Sequence, residues 1–559
     1  MNRVIILILC ILCLEKMQIN AQLSERIYLQ TDKQCYFAGE MLWMKLYTTD
    51  TEGKLMDFSK IGYIELIRDS IPDIQIKVDI RNGTGTGWME LPALLPTGYY
   101  RMIAYTRYMR NEGENVFFEK LVGIINPYLQ KDPFDTEEAH TSLSIKPIEQ
   151  HSSQFDITID KSVYTKRNNG EIRIKGLPAE NISMGLSITG IEPFLEENTT
   201  IVDWKKQLSA GQHPAFANKR LLPEYEGAII DGVIINRETG NPATAVSQAI
   251  TLLSFPGKDI QLFAGQSGEN GHVAFYTSCT TGKEELTTTA IDPSGGQYRV
   301  DIQSPYTTHT HKQLPVFNPD STWIDYLQDR NLTVQVSHAY TVGSLSDINE
   351  MVPCSYLRPY IRYILDEYTR FPNMEEVFIE FIKFVRISRT NEGRRFSMMT
   401  ENLDTYTNNV LVLLDNIPIA NHELMCGYNP LQIKTIDIHI GNYIFGEHFF
   451  NGLIAFFSYK NDFPGITFGA NTQLFDYEGT QPNRYFYTPR YDDLNVSSRM
   501  PDFRHTLLWE PTIQSNGQPE VIIPFTTSDL PGRYLITVEG IGLNGSVVRA
   551  TQVIEVKEY

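Results

Sequence analysis

The sequence has 559 residues, of which 42% are hydrophobic and 21% charged, and it contains 30 tyrosines. This composition excludes a disordered tail, a coiled coil and a collagen-like fibre, and the length predicts about three to five domains. The formal net charge of −19 would repel phosphates, so we expect no nucleic-acid partner and no attraction to an anionic lipid surface.

The start of the chain has the pattern of a secretory signal peptide. Arg3 precedes the apolar run Val4–Leu14, and a polar stretch then ends at Ala21. A basic N-terminal region, a short apolar segment and a small residue at the end of the polar stretch predict cleavage after Ala21. The apolar run is too short to cross a bilayer, which takes about 20 residues. We therefore expect an exported chain, periplasmic or associated with the outer membrane, with no transmembrane segment.

Four cysteines follow this segment: Cys35, Cys279, Cys354 and Cys426. They are widely separated and none forms a C-x-x-C pair, so the spacing does not favour structural zinc. An oxidising compartment permits disulfides, but large domains with their own cores do not need them. We predict four buried thiols.

Short stretches that alternate polar and apolar residues recur along the chain, separated by Gly, Pro, Asn and Asp clusters. Clear cases lie at 60–67, 155–160, 171–175 and 534–539. Helical crossovers are missing between these stretches, which favours antiparallel sandwiches over parallel sheets. The predicted fold class is therefore mainly β.

Two internal repeats indicate that some of these sandwiches are related. The motif DKxxY, followed by GE, occurs at 32–40 and recurs at 160–171. LPTGYYR at 95–101 is similar to LPGRY at 530–534, and in both a Pro/Gly turn leads into a strand with an early aromatic residue. The repeats predict a string of sandwiches, each with its own core.

These motifs carry a resemblance to a known family. RIYLQTDKQCYFAGEMLWMKLY, at 26–47, resembles the opening strands of macroglobulin-type domains in bacterial alpha-macroglobulin relatives. The strand that begins at Leu95 fits the closing strands of that domain. The resemblance extends loosely over 140–205 and moderately over 495–559, and it implies macroglobulin- or immunoglobulin-like antiparallel β-sandwiches in these regions.

A further sandwich is predicted at 224–315. EGAIIDG at 226–232 opens a segment that resembles carboxypeptidase regulatory-like modules, with GQSGENGHVAF at 265–275 as its turn and strand.

One segment departs from the β pattern. Apolar residues recur at helical spacing from Met374 to Val385, with Asn373 available as N-cap and Glu376 three residues later. A strand ending in DNIP, a PLQIKTID segment, glycine turns and a final strand follow. This order, across about 371–460, resembles the plug domain of TonB-dependent outer-membrane receptors. Only 99 residues follow Lys460, too few for the barrel of such a receptor, so the resemblance implies a fold and not transport.

Together these features predict a signal peptide at 1–21, macroglobulin-like sandwiches at 22–128 and 129–222, a carboxypeptidase-regulatory-like sandwich at 223–316, a connecting segment at 317–370, an inserted plug-like α+β domain at 371–461, and a long connection with a C-terminal macroglobulin-like sandwich at 462–559.

The motifs do not favour catalysis. The alpha-macroglobulin thioester needs a CGEQ run, whereas Cys426 is followed by Gly-Tyr-Asn, which excludes that covalent trap. G-x-S-x-G, HExxH, EF-hand and GxxxxGK patterns are absent. Paired catalytic carboxylates have no local signature, but a string of small sandwiches offers mostly convex surface. We predict a non-enzymatic protein with no cofactor.

A metal site is considered at His309-Thr310-His311, where two imidazoles lie on one face of an extended segment. A third ligand at suitable spacing is not apparent. A solvated loop before Pro315 is the favoured interpretation, and no metal ligand is predicted.

The stretch 483–491 is rich in tyrosine and arginine, the residue types that often anchor protein interfaces. Its candidate interface residues are Arg484, Tyr485, Phe486, Tyr487, Arg490 and Tyr491. The alternative is that these rings fold back over the adjacent sandwich, and the sequence favours neither. Trp43, Tyr47 and Tyr63 stand in strand patterns and are predicted to be packed in a core.

The sequence therefore favours an accessory or scaffolding subunit of a Gram-negative envelope. Its predicted partner is a protein at the outer membrane, such as a β-barrel-containing transport, secretion or assembly complex. One alternative is a protein that captures a peptide, a protease or a glycan without covalent chemistry. Another is a hydrolase with carboxylates in an interdomain cleft.

Overall fold

The computed structural model describes residues 24–126, 155–192, 199–210, 221–243, 250–257, 260–278, 280–291, 297–315, 324–340, 357–390, 393–446, 448–491 and 499–558. The predicted signal peptide, Cys279 and Cys354 lie outside these residues. The chain is mainly β, as predicted, and divides into two compact units. Unit 1 draws its residues from 1–223, 309–345 and 484–559, and unit 2 from 224–308 and 346–483.

Sandwich A of unit 1 has eight strands: β1 (Arg26–Thr31), β2 (Cys35–Phe37), β3 (Met41–Thr49), β4 (Ile61–Ile67), β5 (Pro72–Asp79), β6 (Thr84–Glu90), β7 (Gly98–Tyr105) and β8 (Phe118–Ile125). They form a three-stranded sheet, β1-β3-β6, and a five-stranded sheet, β2-β8-β7-β4-β5. The β2–β8 pair is parallel, and the other neighbours are antiparallel.

Strand β3 is buried on both faces. Leu42, Met44 and Leu46 lie on its core side, where the Leu46 side chain reaches Gly62 of the opposite sheet. Trp43 and Tyr47 lie on the outer side and are also buried. The prediction that both side chains are packed is confirmed. Their face of β3 points away from the interior of sandwich A, and other parts of unit 1 cover it.

The next elements of unit 1 are four strands and two helices: β9 (Asp156–Ile159), β10 (Val163–Thr165), β11 (Asn169–Lys175), β12 (Ile182–Gly190), α1 (Ile201–Ala210) and α2 (Ile324–Tyr340).

Unit 2 contains strands β13 (Ile229–Asn236), β14 (Ile250–Ser254), β15 (Leu262–Ser267), β16 (His272–Tyr276), β17 (Lys283–Ile291), β18 (Tyr298–Ile302), β19 (Ile361–Ile364), β20 (Val385–Thr390), β21 (Gly393–Met399), β22 (Tyr406–Thr407), β23 (Leu411–Leu414), β24 (Ile417–Pro418), β25 (Ile433–Phe445), β26 (His448–Ser458) and β27 (Thr472–Glu478), and helices α3 (Met374–Glu380) and α4 (His422–Cys426). Its sheets are β18-β13-β16-β15-β14-β17-β27, β19-β25-β26-β23-β24 and β20-β21-β22.

Helix α3 begins as predicted but ends earlier. The Asn373 side chain accepts a hydrogen bond from the Glu376 N–H at 3.0 Å, which satisfies one of the free donors of the first turn. The helix stops at Glu380, so the predicted helical face up to Val385 is wrong in its last part. Phe384 has φ of +67°, which is incompatible with a right-handed helix, and Val385 already belongs to β20.

The predicted glycine turn follows in its expected place. Gly446, with φ of +60°, connects β25 and β26, the two longest strands of their sheet. Glycine adopts this left-handed conformation without the steric cost that a Cβ would add.

Sandwich B of unit 1 combines β9–β12 with four C-terminal strands, β28 (Thr506–Gln514), β29 (Glu520–Thr526), β30 (Gly532–Gly542) and β31 (Val547–Lys557). Its sheets are β9-β11-β29 and β10-β31-β30-β12-β28, the same three-plus-five arrangement as in sandwich A. The first strand pair of the larger sheet, β10–β31, is again parallel. One buried apolar cluster, which includes Ile172, Ile536 and Phe525, fills the space between the two sheets.

The sequence repeats correspond to identical contacts in the two sandwiches. The Tyr36 hydroxyl donates to Asp32 at 2.6 Å, and the Tyr164 hydroxyl donates to Asp160 at the same distance. In the second repeat, the hydroxyl of Tyr100 donates to the Pro96 carbonyl at 2.8 Å.

The hydroxyl of Tyr534 likewise donates to the Leu530 carbonyl at 3.0 Å. Each pair spans four residues and closes the turn before a strand, as in the tyrosine corner of immunoglobulin-like sandwiches.

The sheets divide the chain differently from the predicted boundaries. Segments 129–222 and 462–559 were expected to form separate sandwiches, but their strands form sandwich B together. Strand β27, which lies in the second of these segments, instead completes the seven-stranded sheet of unit 2, and β19 of the expected connecting segment joins the sheet of β25. Alternation identifies a strand and its faces, but it does not specify the neighbour with which the strand pairs.

Candidate interaction surface

The predicted interface stretch is an extended segment of unit 1 that we call the strap, Arg484–Tyr491. Its side chains alternate in exposure. Arg484, Phe486 and Thr488 are half-buried, whereas Tyr485 and Tyr487 are 58% and 60% exposed. The interpretation that the segment folds back over a sandwich applies to the inner face, and the interface role stays a prediction for the outer face.

The inner face of the strap packs on the outer face of sandwich A. The guanidinium of Arg484 lies 4.1 Å from the ring centroid of Trp88, and the Phe486 ring meets that of Trp43 edge-on at 5.7 Å. Trp43 and Trp88 are directly paired across β3 and β6. A cation over an indole ring contributes about 0.5–2 kcal/mol, so this contact holds the strap in place.

The far end of the strap is held by sandwich B. The Tyr491 hydroxyl donates to Asp502 at 2.8 Å, and the Arg167 guanidinium lies 5.1 Å from the Tyr491 ring centroid. The side chain of Asn169 donates to the Tyr491 carbonyl at 3.2 Å. Burial and the neighbouring Asp502 carboxylate raise the pKa of Tyr491, so the phenol stays protonated as a donor.

The outer face of the strap consists of Tyr485, Tyr487 and Arg490, all exposed. Since Arg484 and Phe486 fix the chain between them, the two tyrosines point outward from a backbone that is already ordered. A rigid aromatic pair with a neighbouring guanidinium can bury apolar area and donate hydrogen bonds at a low entropic cost.

Sandwiches A and B meet on the outer side of β1 and β3, through buried polar side chains. The Tyr28 hydroxyl donates to Glu539 at 2.7 Å, and the Lys45 ammonium donates to Ser183 at 2.8 Å. Burial lowers the pKa of Lys45 to about 7 and raises the pKa of Glu539. Glu539 and Lys45 each have a hydrogen-bond partner in the other sandwich, as buried polar groups in a structural interface generally do.

A small cavity of about 120 Å³ lies beside this interface, lined by Tyr28, Asp32, Lys120, Thr200 and Glu539 among others. Burial lowers the pKa of Lys120 to about 8, and its ammonium donates to Thr31 at 2.7 Å. At about 30 Å³ for each water molecule, the volume suits a few waters.

Helix α2 is attached to unit 1 by a buried arginine that the sequence reasoning missed. The Arg330 guanidinium contacts Glu40 at 2.8 Å and Glu192 at 3.3 Å. Burial opposes its charge, but the two carboxylates outweigh that effect and raise the pKa of Arg330. Glu40 belongs to the DKxxY…GE repeat, which is the one sequence signal that marks this site.

The two histidines of the HTH motif do not converge. His309 is buried between two carboxylates, with Nε2 2.8 Å from Glu65 and Nδ1 2.8 Å from Glu114, whereas His311 is exposed. Burial opposes the charge of His309, but the two carboxylates outweigh it and raise its pKa. His309 thus anchors the segment on sandwich A, whereas residues 310–313 are exposed, as expected of a solvated loop.

Two of the four predicted buried thiols lie within the described residues. Cys35 and Cys426 are free, buried thiols, and burial raises the pKa of Cys426 to about 12. Within the described residues, no group of three His, Cys, Asp or Glu side chains is arranged to hold a metal ion. No described helix has the length and hydropathy needed to cross a membrane.

Comparisons with known proteins find remote structural similarity alone. No family model matches the sequence, and no curated protein matches it. Escherichia coli alpha-2-macroglobulin activated by porcine elastase is 10% identical over 95% of this chain and 44% of that chain, with a TM-score of 0.25. Salmonella alpha-2-macroglobulin reacted with methylamine is 8% identical over 95% of this chain and 39% of that chain, with a TM-score of 0.24.

The Escherichia coli adhesin FdeC is 10% identical over 50% of this chain and 64% of that chain, with a TM-score of 0.14. This chain thus spans less than half the length of the two macroglobulins. Similarities at this level identify no activity and no partner.

Proposed function

We propose that this protein is an exported, non-enzymatic component of a bacterial cell envelope that binds a protein partner through the outer face of the strap. The observation that carries the proposal is the pair Tyr485 and Tyr487, 58% and 60% exposed on a backbone anchored from its other face. Large exposed aromatic side chains on an ordered backbone are typical of interface anchors.

A non-enzymatic role is supported by the state of the buried ionisable groups described above. Both ring nitrogens of His309 and the carboxylate of Glu539 are hydrogen-bonded to structural partners inside unit 1. A general acid or base needs a proton site that a substrate can reach, and these bonds occupy the sites of both groups.

The proposed partner is an outer-membrane protein complex that contains a β-barrel. This finer step rests on the resemblance of 371–460 to a receptor plug without its barrel, together with the predicted signal peptide and macroglobulin-like modules. The plug-like segment would then be a part of the scaffold, and the strap would supply the contact.

The test is affinity capture from detergent-solubilised envelopes with the full chain, the Y485A/Y487A variant and a Y225A/Y276A control. The control tyrosines are 52% and 40% exposed and lie outside the strap. We expect one integral barrel protein to be recovered by the wild type and the control, and to be lost with Y485A/Y487A. Equal recovery by all three proteins would refute the role of the strap, and recovery of a soluble peptide or protease instead would favour a capture protein.

A further inference from the structure

The backbone of the strap is extended, and it pairs with no strand of the part of the chain that the structure describes. Among the described residues, Arg484–Arg490 form no backbone hydrogen bond, although Phe486 and Arg484 are packed on the tryptophans of sandwich A. Backbone N–H and C=O groups that are fixed in an extended conformation and lack a partner form a template for another strand.

The alternation of side chains specifies the direction of these backbone groups. In a strand, residues that share a face also share the edge toward which their N–H and C=O groups point. Arg484, Phe486 and Thr488 face sandwich A, so their backbone groups point to one lateral edge. Those of Tyr485 and Tyr487 point to the opposite edge. The side chains that anchor the strap point toward the tryptophans of sandwich A, in a direction roughly perpendicular to both edges.

We propose that the strap binds its partner by strand addition: an extended segment of the partner protein pairs with one edge of Arg484–Thr488 and makes it a two-stranded ribbon. Pro489 has no N–H and ends the run of donors, which limits the ladder to these five residues. Tyr485 and Tyr487 then lie on the outer face of the ribbon, where aromatic residues stabilise cross-strand neighbours. This mode rests on the proposed function and specifies how the same surface recognises its partner.

An extended polypeptide fits the observations better than a helix or a glycan. A helix satisfies its own backbone and would leave the polar groups of the strap unpaired under the interface, which costs free energy. A strand supplies alternating donors and acceptors at the spacing that the strap presents, and side-chain contacts to the two tyrosines add specificity.

The experiment uses the full chain and random 12-residue peptides from a displayed library, with peptides that also bind Y485A/Y487A discarded. Each selected peptide is then synthesised with a single N-methyl group at each position in turn, and binding is measured by fluorescence anisotropy. Since alternate residues of a strand bond to a given neighbour, N-methylation should weaken binding about tenfold or more at every second position and have little effect between them.

Amide hydrogen exchange of the full chain gives a second readout. The amides of Arg484–Thr488 should exchange rapidly without peptide, and those of one alternating set should become protected when the peptide binds. If N-methylation lowers the peptide affinity equally at all positions, or if the peptides are helical when bound, strand addition is wrong. The strap would still be the partner site.

Failure to select any strap-dependent peptide would also overturn strand addition. Concentration-dependent dimerisation of the chain alone, lost in Y485A/Y487A, would show that a second copy occupies the edge instead. The proposed function itself fails only in the envelope capture experiment, so the two results are distinguishable.

Discussion

The backbone N–H of Gly190 donates to the carbonyl of His505 at 2.9 Å, although residues 191–504 lie between them in the sequence. The equivalent strands of sandwich A, β4 and β5, are joined by the short turn 68–71. Sandwich B is therefore a copy of sandwich A that carries all of unit 2 as an insertion between its fourth and fifth strands. The chain leaves and re-enters this sandwich at adjacent backbone positions.

This topology makes the first half of sandwich B dependent on the C-terminus. Both sheet neighbours of β12, β28 and β30, lie after residue 505. Deletion of 506–559 should therefore unfold 155–190 and leave sandwich A folded, because an unpaired strand cannot retain its backbone hydrogen bonds. Hydrogen exchange should show loss of protection in β11 and β12 while β4 and β7 stay protected. Protection of β12 in the truncated chain would contradict the insertion.

The two tyrosine corners should contribute equally and independently. Y100F and Y534F each remove one hydroxyl that donates to a carbonyl four residues earlier. Each should lower the unfolding free energy by about 0.5–1.5 kcal/mol, and the double variant should show the sum because the sites lie in different sandwiches. Urea denaturation measures the changes, with Y485F as the exposed control. Unequal changes in the unfolding free energy would mean that the two repeated turns do not stabilise their sandwiches to the same extent.

Of these local contacts, the cap of Asn373 on Glu376 was predicted from the sequence. DKxxY and LPxGY were recognised there as repeats, and the structure showed that their tyrosine hydroxyls form hydrogen bonds within a few residues. The pairing of β12 with β28 was not readable, because alternation leaves the partner of a strand open. Arg330 and Glu40 are 290 residues apart, and their contact depends on where the fold places α2. For the strap, the aromatic residues were visible in the sequence, and the structure was needed to show which side they face.

The attachment of segment 309–315 to sandwich A should weaken as the pH rises. The pKa of His309 is raised in the folded state, so its contribution is complete below its ordinary value of about 6.5 and is lost as the pH rises through the folded pKa. Glu114 acts in the opposite sense, because its pKa is lowered and its contribution is lost in acid. The segment should therefore be held best near pH 5–6.5, by these pKa directions.

The variant H309Q tests this assignment, and H311Q is the matched control from the same motif. At pH 6, H309Q should reduce the unfolding free energy by about 1–3 kcal/mol, and it should remove most of the decrease that the wild type shows between pH 6 and 8.5. H311Q should behave as the wild type. An unchanged pH profile in H309Q would assign the effect to another group. Urea titrations at each pH measure these differences.

Among the ion-paired side chains of unit 1, removal of Arg330 should lower the unfolding free energy most. Its side chain is 4% exposed, and R330M would leave Glu192 buried without its cation. Breaking a buried ion pair in this way costs about 3–5 kcal/mol. R173M is the control, because Arg173 forms an exposed pair with Glu171 that should contribute less than about 1 kcal/mol. Comparable losses in the two variants, measured by urea denaturation, would rule out the special role of Arg330.

The Trp88 ring should determine how often the strap opens. Trypsin cleaves after Arg484 only when its guanidinium leaves the Trp88 ring, so the cleavage rate at Arg484 reports the open population. W88L removes the ring that faces the Arg484 guanidinium at 4.1 Å and should speed cleavage about fivefold, which corresponds to a loss of about 1 kcal/mol. W88Y keeps an aromatic face and should show a smaller increase. Mass spectrometry of the fragments gives the rate at Arg484 separately from that at the exposed Arg490, and equal rates at Arg484 in W88L and W88Y would show that the strap is not held by the cation–ring contact.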